Sequence, residues 1–170
     1  MKPNHTSPYR ICFVCLGNIV RSPLAENLFR QLAEDRGVGG RFAVDSAGTA
    51  NYHAGDSPDS RMRAVASRRG LDYDGRGRQF KREDFSRFDL IVPMDLENRE
   101  DLESLAQSQN DRSKIHLLRE FDPLSGGNES VPDPYYGPIE GFEAVFDIID
   151  RSCRSLLEAF LLGDLPASGN

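Results

Sequence analysis

The feature that most limits what this chain can fold into is an alternation. Short apolar runs at residues 10–14 (RICFV), 42–46 (FAVDS), 90–92 (LIV) and 115–118 (IHLL) recur, with longer stretches of helical period between them. After the first run, Ser22-Pro23 reads as an N-cap followed by proline at the first helical position. Leu24, Leu28 and Leu32, with Ala25, Phe29 and Ala33, then repeat at helical spacing to a stop near Gly37. Ser57-Pro58 repeats the start signal and Gly70 supplies a C-cap, while residues 95–107 read as a polar helix. Near the C-terminus Phe142, Val145, Ile149, Cys153, Leu156 and Phe160 keep one apolar face for about five turns at 3.6 residues each. Strands alternating with helices predict a parallel sheet covered on both faces. The expected architecture is α/β: a single three-layer domain, its four-stranded parallel sheet in the order 2-1-3-4 with helices on both faces. The 170 residues suffice for one such core and are too few for two large ones. That domain is expected to span residues 1–170, with 1–8 and 164–170 as flexible ends.

In such sheets ligands sit at the carboxyl ends of the strands, where the strand order reverses. Two loops are expected to open on that edge: Cys15 to Ser22 after the first strand, and the turn-rich segment 122–138 after the fourth, which holds Asp133. The first reads Cys15-Leu-Gly-Asn-Ile-Val-Arg21-Ser22-Pro23. A cysteine with an arginine six residues on is a weak motif by itself, and its setting strengthens it. It lies between a strand and a helix start, where unpaired N–H groups converge and the helix dipole favours an anion. Gly17 permits the backbone angles of a tight anion-cradling loop. The same setting stabilises a thiolate at Cys15, the nucleophilic form of the side chain. Arg21 offers planar, bidentate donors to a phosphoryl group, and Ser22 a hydroxyl to the sulfur. Asp-Pro at 133–134 alone reads as a turn former. With the cysteine loop beside it, Asp133 becomes a candidate general acid, since a phenolate leaves a phosphoryl centre slowly unless protonated.

Net charge is −6 at pH 7, so no basic field is present to hold nucleic acid or anionic lipid, and phosphate must be gripped locally by a few placed donors. No apolar run approaches the ~18 residues of a membrane span. The polar first ten residues do not read as a signal peptide. Three cysteines, an odd count, fit reduced thiols and a cytoplasmic protein. Cys12 and Cys15 form a Cys-x-x-Cys, but odd spacing within a strand points the two side chains to opposite faces, and no second ligand pair lies in range. No metal and no cofactor is expected. His5, His53 and His116 are too scattered for a catalytic site, and the arginines at 61–69 read as a solvated helix face.

The segment Cys-Leu-Gly-Asn-Ile-x-Arg-Ser-Pro near the N-terminus resembles the signature of the low-molecular-weight protein tyrosine phosphatases. The likeness continues through Asp45-Ser-Ala-Gly-Thr, Tyr52-His-Ala-Gly-Asp, Arg78-Gln79, Phe88-Asp89-Leu-Ile-Val-Pro-Met94-Asp95 and Asp133-Pro-Tyr-Tyr-Gly137, covering residues 10 to about 160. The resemblance implies a phosphotyrosine phosphatase that forms a phosphocysteine intermediate on Cys15, with Arg21 binding phosphate and Asp133 as general acid and base. Leu16, Gly17, Asn18, Ile19 and Val20 would form the phosphate loop, Asn18, Ser22 and Ser46 would brace it, and Leu16, Ile19, Tyr52, Tyr135 and Tyr136 would wall the aromatic slot. Its partners would be phosphotyrosine proteins or peptides, met by a monomer with at most weak self-association.

Two positions depart from the family pattern. Val20 stands where relatives often carry a second loop cysteine, so a loop disulfide is out of reach. Gly75 stands where many have a histidine supporting the loop asparagine, which leaves open how Asn18 is held. Three rivals fit less well. Arsenate reductases need a thiol relay that Cys12 and Cys153 do not offer. Arginine phosphatases tend to carry threonine at the position of Ile19 and lack the paired tyrosines. A non-catalytic phosphate-binding module would not need both Cys15 and Asp133.

Overall fold

The computed structural model describes residues 7–166. Strand β1 (Tyr9–Cys15) is central, with β2 (Phe42–Gly48) on one side and β3 (Leu90–Pro93) on the other, all parallel, in the order β2-β1-β3. Six of the seven β1 residues are buried, as both-face coverage of a parallel sheet requires. Its side chains alternate between two cores. Ile11, Phe13 and Cys15 face the larger, built against α1 (Arg21–Asp35), α2 (Ser60–Arg68) and α6 (Ile139–Leu161). Cys12 and Val14 face the smaller, which holds Phe85 of α3 (Asp84–Arg87) and Leu102 of α4 (Leu96–Leu105). The three layers follow from that alternation. Each fully buried Leu, Ile or Phe contributes about 1.5–3 kcal/mol.

The sheet has three strands, not the four expected. Residues 115–118 give it one bridge, Ile115 to Ile91, closed by Ile91 N–H to Lys114 O (2.9 Å) and His116 N–H to Ile91 O (3.0 Å). The run then turns away, because Leu117 N–H donates to the Glu120 carboxylate (3.2 Å) and Leu118–Phe121 winds into a 3-10 turn. A fifth short helix, α5 (Gln109–Ser113), fills part of the preceding loop. It is capped by the Ser108 hydroxyl, which accepts from Asp111 N–H (3.0 Å).

Two helix starts differ from their local signals. Helix α1 begins at Arg21 with no side-chain cap, and Ser22 sits inside its first turn. Pro23 is tolerated there because first-turn N–H groups have no partner to lose. Helix α2 begins at Ser60, capped by Asp59, whose carboxylate accepts from Arg61 N–H (2.8 Å), and not by Ser57. The C-terminal signals at Gly37 and Gly70 hold: both lie one residue past the helix cap with φ of +71° and +85°. The arginines of 61–69 are exposed or half-buried, as a solvated face would be, and they also make bonds across it. Arg63 donates to Tyr73 O, and Arg68 and Arg69 pair with Glu143 of α6, joining α2 to α6.

Among the described residues no helix is long and apolar enough to cross a membrane, and no cluster of three or more His, Cys, Asp or Glu is placed to hold a metal. His5 lies outside the described residues.

Candidate active site

Strand β1 ends at Cys15 and α1 begins at Arg21, so the chain must pass from strand to helix within five residues. Their carbonyls are drawn back into the body of the protein. Cys15 O accepts from Thr49 N–H (2.8 Å), Leu16 O from Ala50 N–H (3.0 Å) and Ile19 O from Asp59 N–H (2.8 Å). With the carbonyls held this way, the N–H groups of the loop and of the first helical turn are left for the cleft, where they and the helix dipole favour an anion. Glycine at 48 permits this approach, since a Cβ there would lie 2.8 Å from Leu16 O.

The left-handed position of the loop falls on Asn18 (φ +54°), not on Gly17. Gly17 instead leaves room for the His53 ring, which a Cβ would meet at 3.0 Å. Asparagine tolerates the left-handed region, and its side chain fixes the turn. The buried Asn18 amide donates to Ser22 Oγ (2.8 Å) and Ser46 Oγ (3.0 Å), while its Oδ1 accepts from Arg78 N–H (3.0 Å). How Asn18 is held without a histidine at position 75 is thereby answered. Ser46 Oγ in turn donates to Glu26 Oε1 (2.7 Å). Ser22 Oγ accepts from Asn18 and lies 3.0 Å from Cys15 Sγ and 3.4 Å from Ala47 O, so its hydroxyl proton can serve either the sulfur or the carbonyl.

Arg21 is among the largest fully buried side chains, only 2 % exposed. Its Nη1 donates to Asp95 Oδ2 (2.7 Å) and Val131 O (2.9 Å), and its Nη2 lies 3.5 Å from Asp133 Oδ2. Burial disfavours the guanidinium charge; Cys15, Asp95 and Asp133 outweigh it and hold the arginine above its ordinary pKa. The side chain therefore stays charged with its fork aimed across the cleft floor.

Asp133 lines the same cleft as Cys15, its side chain 41 % exposed and its Oδ1 accepting from Tyr135 N–H (3.1 Å). The cleft has a volume of about 140 Å³. Cys15, Leu16, Gly17, Ile19, Val20 and Arg21 line it from the phosphate loop, and Tyr52, His53, Asp133, Tyr135 and Tyr136 from other parts of the chain. Tyr135 packs edge-on to Tyr136 (4.8 Å, 81°), and Tyr136 stands out at 96 % exposure. Asn18, within the loop, and Ser46 do not line the cleft. His53, read as too scattered for acid–base chemistry, is a wall residue with its Nδ1 3.0 Å from the Asp56 carboxylate.

Sequence reasoning missed three contributors: Asp95 on Arg21, Glu26 beneath Ser46, and Arg78, whose backbone N–H holds Asn18. Asp95 had a usable signal, because it directly follows the third strand at the carboxyl edge of the sheet.

A family model described as low molecular weight phosphotyrosine protein phosphatase matches residues 10–162. A low molecular weight protein-tyrosine-phosphatase of Streptomyces coelicolor is 45% identical over 152 residues, 89% of this chain and 93% of its own. The structure of a protein tyrosine phosphatase from Entamoeba histolytica with Hepes in the active site matches with a TM-score of 0.88 at 38% identity, covering 92% of this chain and 99% of that one. A Drosophila arginine phosphatase matches at 0.82 and 32%, covering 88% and 96%. Fold, cleft and likeness together define a phosphoric monoester hydrolase. The chain belongs to the low molecular weight phosphotyrosine protein phosphatase family and is a protein tyrosine phosphatase.

Proposed function

We propose that the protein hydrolyses phosphotyrosine in proteins and peptides in two displacements at Cys15. In the first, the Cys15 thiolate attacks phosphorus, the P–O bond to the tyrosine ring breaks, and Asp133 gives its proton to the departing phenolate. In the second, Asp133, now a carboxylate, takes a proton from water, whose oxygen attacks the phosphocysteine. The S–P bond breaks, inorganic phosphate leaves, and the thiolate returns, helped by the Ser22 hydroxyl. Arg21 and the loop N–H groups bind the phosphoryl oxygens throughout and stabilise the charge spread over them in each transition state.

The observation that carries this reading is the convergence of Cys15, Arg21 and Asp133 on one cleft, with the Ser22 hydroxyl 3.0 Å from the sulfur and the arginine 3.5 Å from the acid. Ile19 and Tyr135 beside them suit a flat aromatic ring, which favours an aryl phosphate over a phosphoguanidine. Acid quenching during turnover of a phosphotyrosine peptide should trap a phosphoenzyme in the wild type and none in Cys15→Ser. Turnover of an aryl phosphate by Cys15→Ser at the wild-type rate would remove Cys15 as nucleophile. Phosphotyrosine and phosphoarginine peptides assayed side by side should show the first strongly preferred.

A further inference from the structure

Of the arginines at 61–69, Arg61 alone among the described residues reaches the loop that carries Asp133. Its Nη1 donates to Tyr135 O (2.9 Å), and Tyr135 N–H in turn donates to Asp133 Oδ1 (3.1 Å). The guanidinium lies over the Tyr135 ring at 5.1 Å and over the Phe142 ring at 4.5 Å. On its other edge it holds Asp59 by two bonds, Nε to Oδ1 (3.2 Å) and Nη2 to Oδ2 (2.8 Å). Asp59 is itself tied to the phosphate loop, donating its N–H to Ile19 O (2.8 Å). Burial raises the Asp59 carboxyl, and the bonds to Arg61 outweigh it and keep it ionised.

We propose that Arg61, clamped by Asp59, is a positioning residue that spans from the phosphate loop to the Asp133 loop and sets the acid over the leaving oxygen. This rests on the reading of Asp133 as the general acid. An arginine suits the task because its planar fork serves three directions at once: two oxygens of Asp59, a backbone carbonyl, and a ring face. Among the described residues Asp133 meets Arg21 at 3.5 Å and accepts from Tyr135 N–H, and Arg61 holds the carbonyl of that same Tyr135; a misplacement on the order of 1 Å is enough to cost a large part of acid catalysis.

The test compares wild type, Arg61→Met, Arg61→Lys, Asp133→Asn and the double variant Arg61→Met/Asp133→Asn on aryl phosphates from nitrophenyl to phenyl. Inhibition by inorganic phosphate and thermal unfolding are followed alongside. Methionine keeps an apolar stem on Phe142, and lysine keeps stem and charge without the fork. The expected result for both Arg61 variants is a loss of roughly tenfold or more in kcat/KM on phenyl phosphate, since kcat/KM reports only the first displacement, a much smaller loss in kcat/KM on the nitrophenyl ester, and an unchanged phosphate inhibition constant. The double variant should be no slower on phenyl phosphate than Asp133→Asn alone. An equal loss on all leaving groups, weakened phosphate binding in parallel, or additive losses in the double variant would overturn the proposal. Should Asp133→Asn itself show no leaving-group dependence, the reading of the acid falls. Should it show a steep one while the Arg61 variants follow wild type, only the role of Arg61 falls.

Discussion

Asn18 carries more of the phosphate loop than any other single side chain. It occupies the left-handed turn and donates to Ser22 and Ser46 while accepting from Arg78. These are separable effects. Asn18→Ala loses three hydrogen bonds, about 1 kcal/mol each, and also forces alanine to a φ it disfavours. Asn18→Gly loses the same bonds but not the backbone preference, so it should be more stable than the alanine variant by about 1 kcal/mol. Both should lose activity alike, roughly tenfold in kcat/KM, because both release the Ser22 hydroxyl from the amide that holds it beside Cys15. Urea unfolding and aryl phosphate kinetics on the pair decide the matter. A glycine variant with wild-type activity would mean that the loop needs only its backbone angle.

At the scale of elements, Asp122 shows how a buried charge joins two pieces of chain. It lies between the 3-10 turn and α6, accepting from Arg119 Nε (3.1 Å), Arg151 Nε (2.7 Å) and Nη2 (3.0 Å), and Leu124 N–H (2.9 Å). Arg151 foremost, with Leu124 N–H and Arg119, holds its carboxyl below the ordinary range against the opposing effect of burial. A folded-state value below the unfolded one contributes stability at pH above about 3.9, and that stability is lost as pH falls through the folded value. Asp122→Asn should therefore cost about 3 kcal/mol at pH 7, and the gap to wild type should narrow steadily below about pH 4. Denaturant unfolding at a series of pH values measures both. A gap that stays constant with pH would mean that Asp122 acts through shape and not charge. The same junction explains what was hidden in the sequence. Residues 115–118 have a strand's composition, but the Glu120 carboxylate accepts from Leu117 N–H and starts a turn after one sheet residue, a local capping contact that overrides strand propensity. Ser22 and Ser57 carry helix-start signals, yet the first hydroxyl lies beside the sulfur and the cap of α2 falls on Asp59. The strands around β1 and the C-terminal glycines were legible because burial period and turn chemistry are local, whereas Tyr52, Tyr135 and Tyr136 were placed at the cleft by the family resemblance alone. Asp95, Glu26 and Arg78 were not legible, because each acts across a long sequence separation on a partner chosen by the fold.

For the molecule as a whole, the question is whether its two cores are one cooperative unit. The larger core is spread over α1, α2 and α6, and the smaller rests on fewer side chains below the sheet. A small core on short helices is where partial opening would be expected first. Against that, both cores share β1: Phe13 and Cys15 cannot leave the upper core without carrying Val14 and Cys12 out of the lower. Two cysteines outside the cleft report on the two sides. Cys12 is fully buried in the smaller core and Cys153 in the larger, and burial drives both thiols well above their ordinary pKa, so neither reacts until its surroundings open. In a Cys15→Ser background, the rate of labelling by a thiol reagent, referred to the unfolded chain, gives the free energy of opening at each site. The shared strand predicts values that agree within about 1 kcal/mol of each other and of global unfolding. A Cys12 value several kcal/mol lower would mean that the lower layer detaches while the upper core, with the phosphate loop on its edge, stays folded.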